Sequence, residues 1–247
     1  LFNGGVLIAI VFIAILMAVM VFFCVLMLLT ANPFDVFLVQ APTSGQGLNP
    51  LLQNAYMVTH PPSLYVGYVG MTIPFALAVA SLIAGVNAER WLQAARPFAL
   101  AAWYFLTMGL VLGMIWAYEE LGWGGYWAWD PVENAGLIPW FTGTALMHSM
   151  MAQERRGLLK AWTVALAIIS FVLTIFGTFI TRSGLIDSVH AFAKSNIGWY
   201  FLAFMFLTLA ASAALMIKRR HLLRGDNEQG DLFSREYFFM IYNWLLL

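Results

Sequence analysis

Long apolar runs separated by short polar connections dominate this chain. A bilayer core of about 30 Å needs roughly 20 apolar residues in a helix. Runs of that kind lie at about 6–30, 64–86, 98–118, 137–153, 162–180 and 199–217, and a further one starts near 237. The fourth is short for a span. Just before it, Asp130, Pro131 and Glu133 spell a helix start: an acidic N-cap, proline at the first helical position and a carboxylate at the third. That helix either continues into 137–153 or lies along the interface beside it. The prediction is an all-α polytopic membrane helix bundle forming a single domain over 1–247. It has about six complete transmembrane helices and the start of a seventh.

Composition supports this reading. The chain is 62% hydrophobic and 10% charged, with mean hydropathy +0.81, against about 25% charged residues in soluble domains. A net charge of zero argues against a nucleic-acid partner. Cys24 is the single cysteine and sits inside an apolar run, where it reads as a small core residue. Without CxxC or CxxCH, the chain is neither a thiol redox protein nor itself a c-type cytochrome. Starting at Leu1 and stopping in Leu245-Leu246-Leu247, it reads as a fragment of something longer.

Charge placement orients the bundle. The connections 87–97, 154–161 and 218–236 hold Arg90, Arg96, Arg155, Arg156, Lys160, Lys218, Arg219, Arg220, Arg224 and Arg235, ten of the twelve basic residues. The opposite connections, at about 31–63, 119–136 and 181–198, hold only Arg182 and Lys194. By the positive-inside rule, these three face away from the cytoplasm. The first is irregular, with Pro33, Pro42, Gly45, Gly47 and Pro50. It ends in His60-Pro61-Pro62-Ser63, where Ser63 is the expected N-cap of the second span.

The second outer connection carries the unusual chemistry. Trp116, Trp123, Trp127, Trp129 and Trp140 place five of the ten tryptophans within 25 residues. Indole and phenol rings belong at membrane interfaces, but an aromatic belt alone does not require this spacing. Gly124 and Gly125 remove side chains where the backbone turns or something flat approaches. His60 and His190 each sit at the outer end of a span, on either side of this stretch in sequence. Two neutral imidazoles on opposite faces of a macrocycle can hold haem iron at six-coordination; alternatively, both are interfacial histidines bonded to nearby backbone. His148 lies about eleven residues into the fourth run, near mid-membrane, where ionisable groups are costly and usually functional. Its bland role is a buried histidine bonded to a neighbouring helix, with Thr174 and Thr178 as candidate acceptors for its N–H. His221 belongs to the basic cluster Lys218-Arg219-Arg220-His221 and reads as solvated surface. Asp130 and Glu133 are a helix cap or proton carriers, and Asn134 can donate to either. Glu119 and Glu120 leave three readings open: meeting water, pairing with Arg182 or repelling haem propionates.

The stretch WGGYWAWDPVEN resembles the "WWD" signature of the haem-handling membrane proteins of cytochrome c maturation. The surrounding residues narrow the likeness. His60-Pro61-Pro62, the run Gly143 to Ser149, Gly177-Thr178-Phe179, Arg182-Ser183-Gly184 and Ser188-Val189-His190-Ala191-Phe192 are similar to the CcmF/NrfE branch, the haem lyase subunit, from about His60 to Glu236. The resemblance implies an outer haem held axially by His60 and His190. The platform would be Trp116, Trp123, Gly124, Gly125, Tyr126, Trp127, Trp129, Asp130 and Asn134. Tyr126 stands where the family often has another tryptophan. Arg182 would pair a propionate, its bland role being an interfacial anchor. His148 would be one axial ligand of a resident haem b whose other ligand lies outside this chain. The implied function is attachment of haem to the CxxCH thiols of apocytochrome c at the bacterial inner membrane, with the Trp-rich loop on the periplasmic face. A haem chaperone of the CcmE type, subunits of the CcmH type and membrane lipid are the implied partners. The competing readings are a haem-exporting or haem-presenting module without ligase activity, and a transporter with an aromatic gate that holds no haem.

Overall fold

A computed structural model describes residues 4–30, 32, 34, 36, 43–45, 47–86, 88–190 and 197–224. The run near 237, Lys194 and Arg235 lie outside the described residues. Seven α-helices follow one another: α1 (Gly4–Leu29), α2 (Tyr56–Gly70), α3 (Thr72–Ala84), α4 (Ala88–Glu120), α5 (Pro131–Arg156), α6 (Lys160–Ser183) and α7 (Gly198–Lys218). Two 3₁₀ turns, Pro50–Leu52 and Arg220–Leu222, complete the described structure, in which there is no strand. Five segments are long and apolar enough to cross a membrane: α1, α2 with α3 in line, α4 from Trp91, α6 and α7.

The fourth expected span is the informative departure. Its helix exists and runs unbroken from Pro131, so the first of the two alternatives is the one realised. It is too polar to count as a span by composition alone. It nevertheless runs the length of the bundle beside α4, since Trp140 meets Thr107, Thr144 meets Trp103, and Glu154 pairs with Arg96 at 2.8 Å. Its buried hydroxyls are met by neighbours, while the Gln153 amide is buried with no partner among the described residues. Ser149 and Thr163 share a hydrogen bond of 2.7 Å, and the Ser170 hydroxyl donates to Thr142 Oγ1 at 2.9 Å. Hydroxyl pairs of this kind hold helices together where lipid offers no hydrophobic contrast.

Two expectations are corrected. Ser63 does not cap the second span, because α2 begins at Tyr56 and takes His60, Pro61, Pro62 and Ser63 inside it. Asn54 explains the earlier start. Its Oδ1 accepts from the Tyr56 N–H at 2.8 Å, while its Nδ2 donates to Glu119 at 2.8 Å and Glu120 at 2.9 Å on α4. Cys24 is not a core residue but lies exposed on α1, the helix least covered by the others.

α2 and α4 run antiparallel at a separation that only glycine permits. A Cβ at Gly67 would stand 2.6 Å from the Leu106 nitrogen, and one at Gly109 would stand 2.6 Å from Leu64 Cα. Small residues let transmembrane backbones approach this closely. α6 lies at the centre, where Phe171 stacks on Phe75 of α3 at 4.3 Å. The Arg96–Glu154 pair, and a bond of 3.3 Å from Arg219 Nη2 to the Ile83 carbonyl, gather the basic ends of α3, α4, α5 and α7. The opposite end holds the start of α2, the end of α4, the start of α5 and the end of α6.

Candidate haem platform and its histidines

The end of α4 organises that opposite face. Its 33 residues extend about 50 Å at about 1.5 Å per residue, well past a hydrocarbon core of about 30 Å. The surplus carries Gly113 and Trp116 into the outer interface. His60, from α2, lies with its ring over Gly113, where a Cβ would meet His60 Cε1 at 2.6 Å. His190, after α6, packs its ring against Trp116 at a centroid distance of 5.2 Å and against Trp123 at 6.4 Å. Gly113 and Trp116 are one helical turn apart, and residues at that spacing are neighbours on a helix surface. The two imidazoles therefore rest against neighbouring turns of the same helix.

Both rings are held in the same tautomer. His60 Nδ1 lies 2.7 Å from the Gly109 carbonyl, and His190 Nδ1 lies 3.0 Å from Asp130 Oδ2. A carbonyl and a carboxylate only accept, so each Nδ1 carries the proton and each neutral ring keeps its lone pair on Nε2. A histidine prepared in this way, with Nδ1–H on an oxygen and Nε2 open, is a metal ligand with its orientation fixed.

Asp130 has two roles, of which the sequence shows one. Its Oδ2 accepts from the Val132 N–H at 2.9 Å, and Glu133 Oε2 accepts from the backbone N–H of Asp130 at 3.1 Å and of Ala128 at 3.0 Å, a reciprocal helix cap. The same Oδ2 also receives Ser188 Oγ–H and His190 Nδ1–H. Sequence reasoning missed the second role because Asp130 and His190 are 60 residues apart.

The Trp-rich stretch is an open, non-helical shelf. Trp116 is fully buried, and its indole N–H donates to the Leu51 carbonyl at 2.9 Å. Trp123 donates to the Gly125 carbonyl at 2.8 Å. Gly124 provides the turn, with φ +75, so of the glycine pair only Gly124 is left-handed. Trp129 adopts φ +58, which is rare for a bulky side chain, and stands 70% exposed. Trp127 meets Trp129 edge-on at 6.0 Å, while Tyr126 stacks on Tyr118 at 4.5 Å. Trp127 Nε1 and Asn134 Oδ1 are buried with no partner among the described residues, whereas Asn134 Nδ2 donates to the Trp129 carbonyl. A flat ligand with polar edges suits a shelf of aromatic faces that carries one unmet donor and one unmet acceptor. Arg182 is exposed in the last turn of α6 at this same end. Glu119 and Glu120 both accept from Asn54, the contact that anchors α2.

His148 stands apart from this site. It is neither buried nor bonded to another helix, since its Nδ1 donates to the Thr144 carbonyl one turn back at 2.8 Å. Thr174 and Thr178, the expected acceptors, instead bond carbonyls of their own helix, at Phe171 and Thr174. Thr144 belongs to a closed ring of contacts between α4 and α5. Trp103 Nε1 donates to Thr144 Oγ1, whose hydroxyl donates to the Trp140 carbonyl; Trp140 Nε1 donates to Thr107 Oγ1, whose hydroxyl donates to the Trp103 carbonyl. The two indoles stack at 6.1 Å. His148 Nε2 thus faces outward from a stiffened helix, with no other histidine of the described chain beside it.

Comparison with known proteins shows the family and the fold. The family described as "Cytochrome C assembly protein" matches residues 3–186. The chain is 49% identical over 235 residues to the cytochrome c-type biogenesis protein CcmF of Escherichia coli K12, covering 95% of this chain and 36% of that protein. It is 48% identical over 191 residues to NrfE of Haemophilus influenzae, covering 77% of this chain and 30% of that one. A solved structure titled "Cytochrome c Heme Lyase CcmF" aligns with TM-score 0.72 and 34% identity, over 97% of this chain and 36% of that one. The chain thus spans about a third of the length of the relatives it matches.

Proposed function

This chain belongs to the cytochrome c assembly protein family, and within that family we propose that it supplies the haem-holding part of a cytochrome c haem lyase. The observation that carries the reading is the pair of tautomer-fixed histidines, His60 from α2 and His190 after α6, resting against adjacent turns of α4, with Trp116 and Trp123 against the His190 ring. Haem is the substrate there, with His60 and His190 Nε2 as its axial ligands and Trp127, Trp129 and Tyr126 as its shelf. Arg182, at the same end of the bundle, would meet a propionate, and the unmet Trp127 Nε1–H and Asn134 Oδ1 would meet polar edges of the ligand. The reaction adds each thiol of a CxxCH apocytochrome across a vinyl C=C: a C–S bond forms, the thiol proton ends on carbon, and no oxidant is consumed. Geometry is then most of the catalysis, because the work is to hold vinyl and thiol in register. The Asp130 carboxylate and the Gly109 carbonyl keep the two ligand rings from rotating while substrates exchange.

His148 is the ligand we assign to a resident haem b. That group would supply an electron to keep the outer iron ferrous. The open Nε2 on the flank of α5 fits such a ligand, and a second ligand would come from outside these 247 residues. Partners in this reading are a CcmE-type chaperone delivering haem, CcmH-type subunits and the apocytochrome. The site end of the bundle faces the periplasm and the basic end the cytoplasm of a bacterial inner membrane.

The test uses the full-length protein in cells. His60→Ala or His190→Ala is expected to abolish holocytochrome c formation while the b-type spectrum of the purified protein persists. Loss of that spectrum with either variant would overturn the division into two sites. Haem transferred to the chaperone without thioether formation would favour the haem-presenting module.

A further inference from the structure

Away from the outer end, a groove of about 400 Å³ opens between α1, α3 and α7. Phe75, Val79 and Ile83 line it on α3 at helical spacing, facing Phe204, Thr208 and Leu215 on α7. Ile15 and Val19 of α1 close the third side, and the hydroxyls of Thr208 and Ser212 are its polar side chains among the described residues. From Phe204 to Leu215, α7 rises about 16 Å at about 1.5 Å per residue. This is about half of a 30 Å hydrocarbon core, the depth of one leaflet. At its far end, by Ile83 and Leu215, the groove meets the basic face of the bundle. Arg219 sits there, with Nη2 on the Ile83 carbonyl at 3.3 Å and Nε buried with no partner among the described residues. Lys218, Arg220 and Arg224 are exposed around it.

An apolar slot one leaflet deep, cationic at its mouth, matches an amphiphile with an anionic head. We propose that the groove seats one acyl chain of an anionic phospholipid, with the phosphate against the Arg219 guanidinium. Guanidinium presents a rigid fork of donors to phosphate oxygens. Basic pockets between transmembrane helices are established places for anionic headgroups. The unmet Nε–H is the donor such a headgroup would satisfy. Seated there, the lipid would fasten α1, which the other helices cover least, to α3 and α7.

The experiment is native mass spectrometry of the purified full-length protein, offered phosphatidylglycerol or phosphatidylcholine of identical chains. One phosphatidylglycerol is expected to stay bound in preference to phosphatidylcholine. Arg219→Gln should weaken retention about five-fold, the worth of one basic side chain at an anionic surface. Ala211→Phe, which narrows the groove and leaves the charges alone, should also reduce it. Arg155→Gln, at the same end but on α5, should not. The proposal is overturned if the wild type retains no lipid, as when another part of the full-length protein fills the groove. It is equally overturned by indifference to headgroup, by unchanged retention in Arg219→Gln, or by full displacement with inorganic phosphate alone.

Discussion

His190 and His148 use one device in two surroundings. Each donates Nδ1–H to an oxygen and leaves Nε2 open. His190 has a charged acceptor from a distant element, two indoles against its ring and a helix, α4, that it shares with His60. His148 has only its own helix carbonyl, and its other side faces outward. The first is a site the chain completes from its own helices. The second is half a site, prepared and unmatched. What separates them is the number of elements that converge, four at the outer end against one helix flank.

The largest effect that would break this comparison lies at His148. In the full-length protein, His148→Ala is expected to remove the b-type absorbance and cytochrome assembly while membrane insertion is kept, since alanine is well tolerated in a helix. A version ending at Leu247 should hold that haem weakly or not at all. A stable bis-histidine low-spin spectrum from the truncated version would merge the two regions into one.

Gly113→Ala comes next. The added methyl would sit 2.6 Å from His60 Cε1, so the ring must move. We expect assembly to fall at least ten-fold while the b-type spectrum is unchanged. Normal assembly would show that the placement of His60 over α4 is dispensable.

Asp130→Asn probes the charged acceptor alone. Asparagine caps a helix about as well as aspartate, so thermal stability should barely move. Losing a carboxylate behind a metal-ligating histidine typically costs about 10–100-fold in affinity or activity. Outer-haem affinity measured by titration should fall within that range, and a full-strength site would reduce Asp130 to a cap. The smallest effect belongs to the α4–α5 ring. Thr107→Val removes the acceptor of the Trp140 indole, and membrane hydrogen bonds average about 0.6 kcal/mol. A slight loss of thermal stability with intact assembly is the expected outcome; loss of the b-type haem would give the ring a role in holding His148.

Much of this molecule was legible in the chain. Period and length gave the apolar helices, because burying backbone polar groups in lipid leaves few alternatives to a helix. The uneven spread of lysine and arginine divided the connections into two sets, and the structure gathers those sets at opposite ends. The reciprocal cap of Asp130 and Glu133 was readable too, since a cap is made within one turn. Tertiary structure decided the rest. Ser63 looked like a helix start until Asn54, held by Glu119 and Glu120, began the helix earlier. α5 could be read as a short fourth run, but its length from Pro131 and the hydroxyls and indoles of α4 and α6 that meet its polar side chains come from packing. The acceptors of the outer histidines, 49 and 60 residues away, follow from how close α2, α4 and the post-α6 turn can pack. Between α2 and α4 that distance is set by the absence of side chains at Gly67, Gly109 and Gly113. Local pattern fixes what each segment is, while convergence of segments depends on contacts that no single stretch contains.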